Sequence, residues 1–92
     1  MSIFLDNLNF KKTKKTPIWF MRQAGRHLPE YMELRSSYKN LLEMFKDSSA
    51  CSKATLQPVD RYDLDAAIIF TDILMIHMIK GANVSFDKPG GP

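Results

Sequence analysis

The sequence predicts an α/β fold in which parallel strands are joined by helices, and three observations point there. Two unbroken apolar runs of strand length occur, residues 18–21 (Ile-Trp-Phe-Met) and 66–70 (Ala-Ala-Ile-Ile-Phe). Such runs, rich in β-branched and aromatic residues, typify strands covered on both faces. Between them the apolar spacing changes to three and four residues, the period of a helix. Each run then gives way to a charged residue, Arg22 after the first and Asp72, one residue beyond Thr71, after the second.

Residues 1–16 read as an irregular N-terminal arm, and residues 17–92 as one unit. Pro17 introduces the first run. Gln23 to Leu28 has neither period and holds Gly25, which permits backbone angles closed to other residues, so a loop is expected there. Pro29 suits the first turn of a helix. From it Tyr31, Leu34, Tyr38, Leu41, Leu42 and Phe45 form one stripe, with Glu30 and Glu33 at the N-terminal end and Lys46 at the other, matching the helix dipole. Asp47, Ser48 and Ser49 can cap a second helix that places Ala50, Cys51 and Ala54 on one side, and Pro58 should kink or end it. After the second run, Ile73 to Lys80 reads as a short helix stopping at Gly81. Residues 82–86 alternate like an edge strand, and Pro89 to Pro92 form a turn.

Composition narrows the class. With 45% apolar and 25% charged residues in 92, the chain reads as one globular unit and not as a disordered tail. Its longest apolar stretches are broken by Thr71, Asp72 and His77, far short of the ~20 residues that a membrane span takes. The N-terminus puts apolar residues ahead of basic ones, the reverse of a secretory signal, so a cytoplasmic location is expected. Cys51 is the sole cysteine and can form neither an internal disulfide nor a cysteine-based metal site. His27 and His77 have no partner at ligand spacing. No nucleophile elbow, P-loop or dinucleotide fingerprint is present.

Net charge is +3, unevenly spread: Lys11, Lys12, Lys14, Lys15, Arg22 and Arg26 fall between Asp6 and Glu30 with no acid among them. Such a stretch attracts anions. Nucleic acid is not expected, because no recognition helix and no interleaved aromatics accompany the lysines, which read as a solvated face.

Parallel strands joined by a right-handed crossover bring their carboxyl ends to one rim, where α/β folds bind ligands. Arg22 and Asp72 would then share a mouth. Arg22 and Arg26 can each grip a carboxylate with a planar fork of donors, and Gly25 lets their loop fold tightly. The alternatives are structural: one arginine pairing Glu30 or Glu33 and the other capping a helix, and Asp72 capping the helix near Ile73. An Asp beside two arginines stays ionised, suited to accepting hydrogen bonds or steadying a developing cation.

The residues Pro17 to Tyr31, PIWFMRQAGRHLPEY, closely resemble a segment near the N-terminus of uroporphyrinogen decarboxylases. Ala54 to Pro58 and Ala66 to Leu74, AAIIFTDIL, resemble that family's second block, in the same order. The resemblance implies a (β/α)8 TIM barrel, of which this chain would supply only the first two strands and associated helices, since a whole barrel takes about 250 residues. It implies a decarboxylase without cofactor or metal that turns the four acetate side chains of uroporphyrinogen into methyls, giving coproporphyrinogen in haem biosynthesis. By resemblance, Arg22 and Arg26 bind substrate carboxylates, Gln23 is a substrate-binding residue of the same loop, and Asp72 accepts hydrogen bonds from the pyrrole N–H groups and stabilises the cationic ring. Arg22 and Arg26 are further candidates for acid or anchor. The full-length family enzyme is expected to be a homodimer. This chain is expected to be an N-terminal fragment, associating with a missing C-terminal part, or else a noncatalytic anion- or porphyrin-binding remnant. His27 stands where the family usually has tyrosine, and a proline is more typical near His77.

Overall fold

The computed structural model describes residues 2–85 as five helices joined by extended segments. The helices are α1 (Ile3–Leu8), α2 (Pro29–Ser36), α3 (Leu41–Lys46), α4 (Ser48–Arg61) and α5 (Met75–Ile79). Phe86, the last residue of the alternating segment, and the turn expected at Pro89 to Pro92 lie outside the described residues, and Ala82 to Ser85 are not in a strand.

The arm read as irregular contains α1, whose N-cap Ser2 accepts from the Leu5 N–H at 3.5 Å. The single long helix expected from Pro29 to Lys46 is instead two. Ser36 turns its hydroxyl back onto the Glu33 carbonyl at 2.7 Å, and Asn40, in an extended conformation, caps α3 by accepting from the Glu43 N–H at 2.9 Å. Short polar side chains that bond nearby backbone compete with helix continuation, and apolar periodicity alone does not register that competition.

Asp47 starts α4 as expected, its Oδ1 accepting from Ser49 and Ala50 N–H at 2.8 and 3.3 Å. Pro58 does not end the helix. It lies fully buried inside α4, and its carbonyl still accepts from the Tyr62 N–H at 2.9 Å, so the turn beyond the missing donor closes. Burial of the ring against the core compensates for the lost hydrogen bond.

Both α2 and α3 pack on α4. Ala50 and Ala54, four residues apart on one face of α4, let them approach closely. The core is Leu28, Tyr31, Met44, Ala50 and Ala54, with Leu34, Tyr38 and Phe70 against it. Phe70 brings the second apolar run onto this core: its ring meets Tyr31 edge-on at 5.2 Å and Phe45 at 5.9 Å, and its N–H donates to Thr55 Oγ1 of α4 at 2.8 Å.

The expected strands are where the structure departs most from the sequence reading. Among the described residues no strand forms, and runs 18–21 and 66–70 are extended but without a ladder. One end of the pair is joined through Asp65, whose N–H donates to the Ile18 carbonyl at 2.9 Å while its carboxylate accepts from the Ile18 N–H at 2.9 Å. A side chain thus takes the place of the backbone acceptor that a sheet neighbour supplies. Neither run is covered on both faces: Met21 and Ile69 are 80% and 77% exposed. The chain exposes 7294 Å², against about 5,500 Å² for a closed monomer of this mass. Its radius of gyration, 15.9 Å, likewise exceeds the roughly 12 Å of a compact domain of this length. A parallel strand is stable when flanked by other strands and by helices; among the described residues no further strand lies beside these two runs.

Candidate functional site

The loop between the first run and α2 begins with a tight turn in which the Gln23 N–H donates to the Phe20 carbonyl at 3.2 Å. The Gln23 side chain folds inward, 5% exposed. Its Oε1 accepts from the Phe20 N–H at 3.0 Å, and its Nε2 donates to the Ala66 carbonyl, at the start of the second run, at 2.9 Å. Gly25 follows with φ +130°, a conformation side chains resist, and the Leu28 N–H closes onto the Gly25 carbonyl at 3.0 Å. Leu28, buried at the N-cap of α2, anchors the far end of the loop.

With the loop pinned at Gln23 and Leu28, Arg22 and Arg26 remain exposed. They line an open cleft of about 610 Å³ together with Gln23, His27, Phe70 and Asp72. The sequence reading therefore brought together residues that the tertiary structure also brings together. The structural alternative for the arginines is not realised, because Glu30 is taken by Arg61, whose Nε and Nη2 reach its two oxygens at 2.8 and 2.9 Å. That bidentate pair holds the Glu30 carboxyl below its ordinary range. Neither Arg22 nor Arg26 has an ion-pair partner among the described residues.

Asp72 lies half-buried in the same cleft lining, two residues beyond Phe70. Its Oδ1 accepts from the Leu74 N–H at 2.8 Å, forming an Asx turn ahead of α5. The capping alternative is met only in this local sense, since the N-cap residue of α5 is Leu74. One carboxylate oxygen is thereby oriented by the backbone, and the second has no hydrogen-bond donor among the described residues.

The lysine run separates from this cleft. Lys11 pairs with Asp6 at 3.1 Å, and Lys15 with Asp63 and Asp65 at 3.4 and 3.6 Å. Cys51 donates its thiol to the Phe45 carbonyl at 3.3 Å, and partial burial pushes its pKa up, which removes it as a nucleophile candidate. Among the described residues no group of three or more His, Cys, Asp or Glu could hold a metal ion, and no helix is long and apolar enough to cross a membrane.

The family model for uroporphyrinogen decarboxylase matches residues 1–92. The chain belongs to the uroporphyrinogen decarboxylase family. It is 49% identical over 90 residues to a uroporphyrinogen decarboxylase of Francisella philomiragia subsp. philomiragia, 48% to that of Francisella tularensis subsp. novicida and 51% to that of Campylobacter jejuni subsp. jejuni. Each match covers 98% of this chain and 26% of the relative, so the chain spans about a quarter of the length of these relatives. The family fold is a TIM barrel.

Sequence reasoning missed two residues that place the site. Thr55 receives the Phe70 N–H and Asp65 ties the second run to Ile18. Asp65 had a legible signal, an acid directly before an apolar run whose backbone needs partners. Thr55 had none, because a threonine within a helical stretch is unremarkable until the contact is seen.

Proposed function

We propose that this chain forms the arginine-and-aspartate part of a uroporphyrinogen decarboxylase active site, in a cytoplasmic enzyme that acts as a homodimer and decarboxylates the four acetates of uroporphyrinogen to yield coproporphyrinogen. Its runs 18–21 and 66–70 would become the first two strands of the barrel when the remaining strands flank them. Family membership supports the reaction class. The observation that carries the site is a pair of exposed arginines, without an ion-pair partner among the described residues, that line one cleft with Asp72.

In this reading Arg22 and Arg26 bind substrate carboxylates through bidentate hydrogen bonds, with Gln23 in the same binding loop. Asp72 accepts from the pyrrole N–H groups with the oxygen not used by Leu74. A proton adds to a pyrrole carbon, making the ring cationic, and Asp72 stabilises that charge. The bond to the acetate carboxylate then breaks, CO2 leaves, and the electron pair neutralises the ring. Reprotonation at the exocyclic carbon, with loss of the proton first added to the ring carbon, restores the pyrrole and completes the methyl group, so each acetate consumes one proton net. A guanidinium gives up its proton with great difficulty, which suits an anchor better than a proton donor.

The test combines this chain with a polypeptide supplying the remaining three quarters of a family decarboxylase and follows coproporphyrinogen formation. Turnover that falls at least about 10-fold in Arg22→Ala and Arg26→Ala, the loss of a charge-assisted pair, is expected. Normal turnover with Asp72→Asn would refute the role given to Asp72. Inactivity of the combination, with uroporphyrin binding to the chain retained, would favour a noncatalytic binding module.

A further inference from the structure

We propose that Gln23 is a positioning residue, a latch that fixes the distance between the two halves of the site, and does not contact substrate. The functional part of this inference rests on the reading of the cleft given above. Three observations lead to it. Gln23 is the one buried polar residue among the described residues, at 5% exposure. Both ends of its carboxamide are occupied by backbone, the oxygen by the Phe20 N–H and the nitrogen by the Ala66 carbonyl. These two partners belong to different segments, one leading into Arg22 and the other leading towards Asp72.

The absence of a strand ladder gives the latch its consequence. In a paired sheet, repeated backbone hydrogen bonds hold neighbouring strands in register. Here the start of the second run is tied twice to the first segment, Asp65 to Ile18 and the adjacent Ala66 to Gln23. Of these residues only Gln23 lines the cleft. Gln23 therefore sets how the arginine loop sits against the segment carrying Asp72. A carboxamide is suited to this task because it donates and accepts at once without charge, so burial beside Arg22 and Arg26 brings no competing ion pair.

The chemistry makes a sharp experiment available. A protonated Glu at position 23 matches glutamine in shape, with a carbonyl to accept from Phe20 and an O–H to donate to Ala66. An ionised Glu faces the Ala66 carbonyl with acceptor only. Gln23→Glu should therefore latch in acid and unlatch at neutral pH, while wild type should not change. Arg22, Arg26, His27 and Asp72 line the same cleft in both proteins, so wild type controls for their charges.

The full chain and the variants Gln23→Met and Gln23→Glu are compared by amide hydrogen exchange, expressed as protection relative to the free peptide at each pH. Titration with uroporphyrin, followed by Trp19 fluorescence, is run in parallel. Expected are at least a tenfold loss of protection at Phe20 and faster exchange across residues 22–26 in Gln23→Met, with α4 unchanged. Gln23→Glu, whose carboxylate can still accept from the Phe20 N–H, should show the faster exchange across residues 22–26 at pH 7.5 and recover near wild-type protection at pH 5, and uroporphyrin affinity should follow protection across residues 22–26 in each case. If Gln23→Met fails to fold, the acid recovery of Gln23→Glu decides the matter. Unchanged protection in Gln23→Met, or no recovery of Gln23→Glu in acid, overturns the latch. Affinity that falls while protection stays intact also overturns it, by making Gln23 a ligand contact. A wild-type chain that binds no uroporphyrin sinks the proposed function, and the exchange result still decides the latch.

Discussion

Replacing Thr55 by Val is the perturbation whose cost follows most directly from the geometry. The hydroxyl of Thr55 accepts from the Phe70 N–H at 2.8 Å and donates to the Cys51 carbonyl at 2.7 Å. The second bond is dispensable, because within α4 the Cys51 carbonyl has the backbone N–H of residue 55 as its regular partner. The first is not, since the Phe70 N–H is partly buried against α4 and has no strand neighbour to turn to. A partly buried donor left without an acceptor costs about 1–2 kcal/mol. Val and Thr are close in size and in helix propensity, so little else changes. In a chain of this length that cost corresponds to a fall in Tm of roughly 5–15 °C. Thr55→Ser keeps the oxygen and should lose less than about 0.8 kcal/mol, the worth of one buried methyl. Urea unfolding followed by circular dichroism gives both values, and amide exchange at Phe70 locates the defect. A Thr55→Val chain as stable as wild type, with Phe70 still protected, would refute the argument that α4 and not a sheet holds the second run in place.

Gly25→Ala should lose about 1–3 kcal/mol, because at φ +130° the strain is in the backbone and no neighbour within 4 Å could be relieved. Uroporphyrin affinity should fall with it, and equilibrium unfolding together with the titration checks both. Tyr38 donates to Asp47 Oδ2 at 2.6 Å, and that hydrogen bond, ahead of those from Ala50 and Ser49, holds the Asp47 carboxyl below its ordinary range. A depressed carboxyl contributes stability above its unfolded pKa and loses it as pH falls through the folded value, so the contribution should begin to decline once pH drops below about 4. Tyr38→Phe should raise the Asp47 pKa, read by carboxyl NMR titration, and move the acid unfolding transition to higher pH. The same hydrogen bond raises the Tyr38 pKa, so wild type should lose the contribution again above pH 10, as Tyr38 ionises, and the Phe variant should not.

That Arg22, Arg26 and Asp72 come together was legible before the fold was. Arg22, Arg26 and Asp72 stood out because charged residues directly after apolar runs have to be solvated, paired or used, and all three line one cleft. Helix ends were legible where a side chain caps them locally, as Asp47 does for α4, and where glycine follows, as Gly81 follows α5 at φ +91°. The break between α2 and α3 was written in Ser36, Ser37 and Asn40, but a reading weighted toward apolar spacing ran through it.

What the sequence determined by itself is chemical and local: which residues carry charge, which stretches are apolar, where loops must bend, and membership in a family through runs such as residues 17–31. Those properties reside in single residues and near neighbours. Tertiary structure alone decided that Gln23 faces inward to bind Ala66, that Glu30 takes Arg61 and neither Arg22 nor Arg26, and that Thr55 receives the second run. Each of these is a hydrogen bond between groups 15 to 43 positions apart. Apolar runs 18–21 and 66–70 make the same point: their sequence is compatible with strands, but a strand exists only when backbone groups of another segment pair with it along its length.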